Sequence, residues 1–120
     1  MTLEECYQEL GGSYTEVLSR MMSPKLVTRF LGKFLDDPSH QMLCDAMMAG
    51  DRVEAFRAAH TLKGVCQNLS FGGMLTSVEP LTEMLRFADA DIPESAKELF
   101  AQVRQDYDKT VSVIKEFLQQ

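Results

Sequence analysis

The sequence predicts an all-α fold, an antiparallel four-helix bundle with short additional N-terminal helices. Apolar residues recur at i, i+3, i+4 spacing along most of the chain, and nothing alternates with period two. Each periodic segment opens on a capping residue or a proline and closes at a short Gly-, Asp- or Pro-containing link. At 120 residues the chain is one domain, with residues 1–23 supplying the short helices and residues 24–118 the bundle.

In "MTLEECYQEL", Thr2 and Glu5 have capping-box spacing, and Ser13 with Glu16 repeats it after a break at Gly11–Gly12. Ser23–Pro24 places an N-cap before a proline at the first helical position. It opens "KLVTRFLGKFLDD", where Leu26, Val27, Phe30, Leu31, Phe34 and Leu35 form the apolar stripe. Pro38–Ser39 opens "HQMLCDAMMA", with Met42, Leu43, Ala46 and Met47 on one side. This segment is either one of the four bundle helices or a continuation of its predecessor across a bend. Gly50 ends it, and Asp51 with Glu54 caps the helix that carries "AFRAAHTLKGVCQNL". Phe71–Gly72–Gly73 separates that helix from "MLTSVEPLTEMLRFA", whose stripe is Met74, Val78, Leu81, Leu85 and Ala88. Pro80 inside it removes one backbone hydrogen bond and predicts a kink. The longest helix follows "DADIP" and runs from about Glu94 to Leu118. Its stripe is Ala96, Leu99, Val103, Tyr107, Thr110, Ile114 and Phe117, widened by Phe100, Val111 and Leu118.

Composition narrows the function. Hydrophobic residues make up 45% and charged residues 25%, the balance of an ordinary globular domain. The net charge of −6 argues against nucleic acid as a partner, because phosphates demand a basic surface. No apolar run approaches the roughly 20 residues of a membrane span, and the acidic N-terminus lacks the pattern of a signal peptide. The expectation is a cytoplasmic protein with no membrane partner. Of the three cysteines, Cys6, Cys44 and Cys66, the last two fall on apolar helical positions and read as reduced core thiols. The initiator Met and the N-terminal caps favour a free-standing protein, and the matched apolar stripes a monomer.

The chemistry concentrates on residues 53–67. With His60 at the origin of a helical wheel, Ala55, Ala58, Leu62, Val65 and Leu69 gather on the opposite side as the core stripe. Val53, Phe56, Lys63, Gly64 and Gln67 lie near His60, flanked by Arg57. The imidazole therefore points outward. A mid-helix glycine costs roughly 1 kcal/mol relative to alanine. At Gly64, one turn from His60, it clears space for a bulky reactant or a second protein; it also fits a close approach by a neighbouring helix. Lys63 is placed to neutralise an anionic group on a ring nitrogen, although a lysine on an exposed face also needs no such role. Arg52, Arg57 and Lys63 make the segment locally basic. Val53 and Phe56 are apolar on an outward face, which suits either docking of a partner or contact with the N-terminal helices. Gln67 is a possible hydrogen-bond donor to the imidazole or to a group attached to it.

Other uses of histidine fit poorly. The chain has no His pair or Glu-x-x-His spacing for a metal, no elbow motif for a Ser-His-Asp hydrolase, and no Gly-x-x-x-x-Gly-Lys loop for nucleotide phosphates. His40, at a helix start, reads as a surface residue. What remains is an accessible imidazole, a good nucleophile in its neutral form.

"AFRAAHTLKGVCQNL" resembles the signature of histidine-containing phosphotransfer (HPt) domains, the relay modules of multistep two-component signalling. His60, Lys63 and Gly64 fall on that family's His-x-x-Lys-Gly motif, and "GDRVEAFRAA" and "RFLGKFL" also look like its pattern. The resemblance runs from about Lys25 onward and implies a similar bundle. It implies that His60 accepts a phosphoryl group from an aspartyl phosphate on a response-regulator receiver domain and passes it to another receiver. The partners implied are such receivers and a hybrid sensor histidine kinase. No ATP binding or autophosphorylation is implied, and the protein would need no cofactor of its own, the Mg²⁺ belonging to the receiver. Lys63 would stabilise the phosphorylated imidazole, Gly64 would admit the receiver, and Val53, Phe56 and Arg57 would contribute to docking. The chain departs from the family pattern at Ser70, where a second glycine is usual, at Val65 and Cys66, where small residues are usual, and at Pro80. The alternative function is a helical interaction module that binds a receiver or another signalling protein without carrying phosphate.

Overall fold

Local capping decides where the helices begin. The computed structural model describes residues 1–87 and 91–120, which form helices α1 (Leu3–Glu9), α2 (Tyr14–Met21), α3 (Pro24–Leu35), α4 (Ser39–Ala49), α5 (Arg52–Asn68), α6 (Gly72–Phe87) and α7 (Glu94–Leu118). Among the described residues there is no strand. Thr2 and Glu5 form the reciprocal capping box, while Ser13, Ser23 and Asp51 each accept from the backbone N–H three residues on. Pro24 occupies the first turn of α3. Pro80 lies on the exposed side of α6, which runs on to Phe87; the hydrogen bond that its ring removes is on the water side, where it costs least. Ala88, the last residue of the expected stripe, lies outside the described residues.

α4 packs along α5, α5 along α6, and α6 along α7, with short links reversing the chain between the first three. α7 also receives α1 and α3, and α2 rests on α3. α4 reaches α7 through the His40 ring, which stacks on Tyr107 with centroids 3.7 Å apart and planes 8° apart. The molecule measures 44 × 24 × 19 Å, the long axis suiting a 25-residue helix of roughly 37 Å. One continuous core joins Val27, Leu31, Phe34, Leu43, Leu62, Phe71, Met74, Val78, Leu81, Leu85, Val103 and Ile114, all essentially buried.

Three readings need correction. His40 is buried, only 9% exposed, because Tyr107 covers one face of its ring. α4 is turned accordingly: Ser39, His40, Leu43 and Ala46 face inward and Met42 is 54% exposed. Cys44 is half-buried beside His40, whereas Cys66 and the unassigned Cys6 are fully buried.

The N-terminal helices clamp one end of α5. That end is a Schellman motif: the Phe71 N–H donates to the Cys66 carbonyl and the Ser70 N–H to that of Gln67, with Ser70 at φ 56° where glycine is usual. Tyr7 donates its hydroxyl to the Leu69 carbonyl at 2.9 Å, and Ser13 N–H donates to the Ser70 carbonyl. Arg20 Nη1 donates to the carbonyls of Gln67 and Asn68 and to Ser70 Oγ. The link around Gly11 lies against the first turn of α6. A Cβ at Gly72 would stand 2.7 Å from the Gly11 carbonyl oxygen and one at Gly73 2.5 Å from that of Leu10. α6 therefore begins at Gly72 rather than at Met74.

Candidate functional site

Small side chains set α5 deep between its neighbours. Ala55, Ala58, Ala59, Leu62 and Cys66 are its buried residues, and three of them are alanines, which let adjacent helices approach closely. With that face inward, 3.6-residue periodicity turns His60 outward, and it is exposed. The expected core residue Val65 is half-buried, at the edge of a cleft towards Phe30 and Phe34 of α3.

Gly64 lies on the exposed side one turn beyond His60, and a Cβ built there meets nothing within 4 Å. Close helix packing is thus not its reason. The vacant position leaves the flank of the imidazole open. Lys63 is half-buried on the same turn and makes no ion pair among the described residues. The other local cations are engaged. Arg52 turns to α6, where its Nη1 donates to the Leu85 carbonyl at 2.8 Å, and Arg57 pairs with Glu54 at 3.0 Å.

Val53 is 46% exposed and Phe56 half-buried. The N-terminal helices are not what covers Phe56, since their hydrogen bonds reach the opposite end of α5. The Phe56 ring lies 5.8 Å from that of His60, and the guanidinium of Arg86, from α6, lies 4.7 Å from the Phe56 centroid. Arg86 has no signal in the sequence: it meets α5 only because α6 folds back along it. Gln67 is exposed two turns from His60 and makes no hydrogen bond to it; its backbone carbonyl serves Arg20. The structure thus gathers His60, Lys63, Gly64, Phe56 and Val53 on one half of the α5 surface, and leaves Gln67 at the clamped end.

The buried thiols are poor nucleophiles. Burial pushes the Cys66 thiol up to about 12 and the Cys6 thiol up to about 11, so both stay protonated. Among the described residues no group of three or more His, Cys, Asp or Glu side chains is arranged to hold a metal ion, and no helix is long and apolar enough to cross a membrane. The site joins the exposed His60 imidazole, Lys63, which makes no ion pair among the described residues, and open space at Gly64. Compared with known proteins, the chain matches no family model, no curated protein and no solved structure.

Proposed function

We propose that the protein is a phosphorelay intermediate of the HPt type, in which His60 carries a phosphoryl group between receiver domains. The observation that carries this reading is the exposed His60 with open space at Gly64 and Lys63 beside it. α4 to α7 are read as the antiparallel four-helix bundle on which this face is mounted; α3, inside the 24–118 bundle boundary expected from the sequence, packs on α7 beside them, and α1 and α2 clamp one end.

In the proposed step the lone pair of a neutral ring nitrogen attacks the phosphorus of a receiver's aspartyl phosphate. The N–P bond forms, the O–P bond breaks, and the aspartate leaves as carboxylate, while the ring's proton stays on its other nitrogen. Positioning and charge stabilisation supply most of the catalysis in such transfers. Lys63 balances the charge on the transferred group, Gly64 lets the receiver approach, and Val53 and Phe56 offer it apolar contact. The receiver supplies Mg²⁺, and the protein acts as a monomeric carrier rather than as an enzyme with its own turnover.

The reading is tested by mixing the protein with phosphorylated receivers, including one fused to a hybrid kinase, and following acid-labile, base-stable label. Label on wild type and none on His60→Gln supports it. Binding without label on wild type would favour the interaction module.

A further inference from the structure

The imidazole of His60 has an aromatic neighbour on its own helix. Phe56, one turn earlier on α5, has its ring centroid 5.8 Å from that of His60 and its plane tilted by only 26°, within the range of offset aromatic stacking. Phe56 is in turn gripped from α6 by Arg86, whose guanidinium carbon lies 4.7 Å from the ring centroid. Arg86 is tied to its own helix, Nε donating to Glu83 Oε2 at 3.1 Å. Four side chains, Glu83, Arg86, Phe56 and His60, form a string from the last turns of α6 to the reactive ring.

Without such a string an exposed imidazole samples its rotamers within picoseconds to nanoseconds. In-line transfer needs the reacting atoms about 3–3.5 Å apart and aligned, and misplacement by about 1 Å can cost roughly 100-fold. A half-buried ring pinned by a cation restricts the rotamers of the ring stacked against it. We propose that Phe56 is a positioning residue for His60, held in place by Arg86 and Glu83, so that α6 sets the orientation in which the imidazole meets a phosphoryl donor. This rests on the phosphoryl-carrier reading of His60 and gives Phe56 a task beyond contact with a partner.

Two arms test it. The first needs no partner: nuclear Overhauser contacts between the Phe56 and His60 ring protons are measured in wild type, Arg86→Gln and Arg86→Lys. Contacts in wild type that weaken in Arg86→Gln and recover in Arg86→Lys support the string; no contacts in wild type, or contacts indifferent to Arg86→Gln, overturn it. The second arm compares Phe56→Leu and Phe56→Tyr in transfer from a phosphorylated receiver. Phe56→Leu keeps the apolar bulk offered to a receiver and loses the flat ring, so the saturating transfer rate falls about tenfold, and Phe56→Tyr restores the rate. A Phe56→Leu protein that transfers at the wild-type rate overturns the inference. If wild type accepts no phosphoryl group from any receiver, the carrier reading fails and the ring contacts alone decide the positioning.

Discussion

Filling the space at Gly64 separates stability from access. Gly64 lies inside α5, one turn before the last residue of a helix running from Arg52 to Asn68, and an added Cβ touches nothing within 4 Å. Gly64→Ala therefore gains helix propensity without a clash, worth roughly 0.5–1 kcal/mol. Unfolding entropy near 2.1 cal/mol/K per residue, over 120 residues, is about 0.25 kcal/mol/K, so the melting temperature rises by about 2–4 °C. Gly32 in α3 also has nothing within 4 Å of an added Cβ, so Gly32→Ala should stabilise to a similar extent and serves as the control. The two differ in function. A leucine at residue 64 stands one turn from the imidazole, with Cβ atoms about 5–6 Å apart, across the path of an incoming protein. Gly64→Leu should melt above wild type yet accept label from a receiver at least about tenfold more slowly, whereas Gly32→Ala transfers normally. A Gly64→Ala protein that melts below wild type would refute the open-position argument. A Gly64→Leu protein that transfers at the wild-type rate would refute access as the reason for the glycine.

The Schellman end of α5 gives a graded series at residue 70. Left-handed backbone costs a non-glycine residue about 1–2 kcal/mol, which Ser70 partly offsets through its Oγ bond to Arg20. Denaturant midpoints should rank Ser70→Gly at or above wild type, wild type above Ser70→Ala, and Ser70→Val lowest; Ser70→Ala matching Ser70→Gly would contradict this. Tyr7→Phe strips the Leu69 carbonyl of a buried 2.9 Å hydrogen bond and should cost about 1–2 kcal/mol in chemical unfolding, with His60 labelling unchanged. Burial holds the His40 imidazole below its ordinary range, Arg104 acting in the same direction and Asp108 against it. Because the unfolded chain then takes up the proton first, this stability is present above the unfolded pKa of about 6.5 and is lost as pH falls through it. Unfolding midpoints should drop between about pH 7 and pH 5, and His40→Gln should flatten that drop; an equal slope in the variant rules His40 out as its source.

What was legible in the sequence was local. The caps at Thr2, Ser13, Ser23 and Asp51 act within one turn, so helix starts could be read from spacing alone. The outward direction of His60 followed from the alanines and leucine that α5 buries, a property of one helix. Long-range contacts were not legible. His40 is buried by Tyr107, which lies on α7, and no pattern around residue 40 announces it. Gly72 and Gly73 look like a chain break, yet they are helical positions kept bare so that the backbone at Leu10 and Gly11 can touch them. Arg52 and Arg57 looked like a shared positive field with Lys63, but a carbonyl at the end of α6 and a glutamate one turn away engage them.

The central claim is that His60 itself bears the phosphoryl group. The most direct measurement is fragmentation mass spectrometry, at alkaline pH, of the protein after exposure to a phosphorylated receiver. One phosphoryl group per chain is expected, located on residue 60 and absent from His60→Gln. A phosphoryl group found on His40 or on any other side chain, or an unmodified protein recovered from a receiver it demonstrably binds, would contradict it.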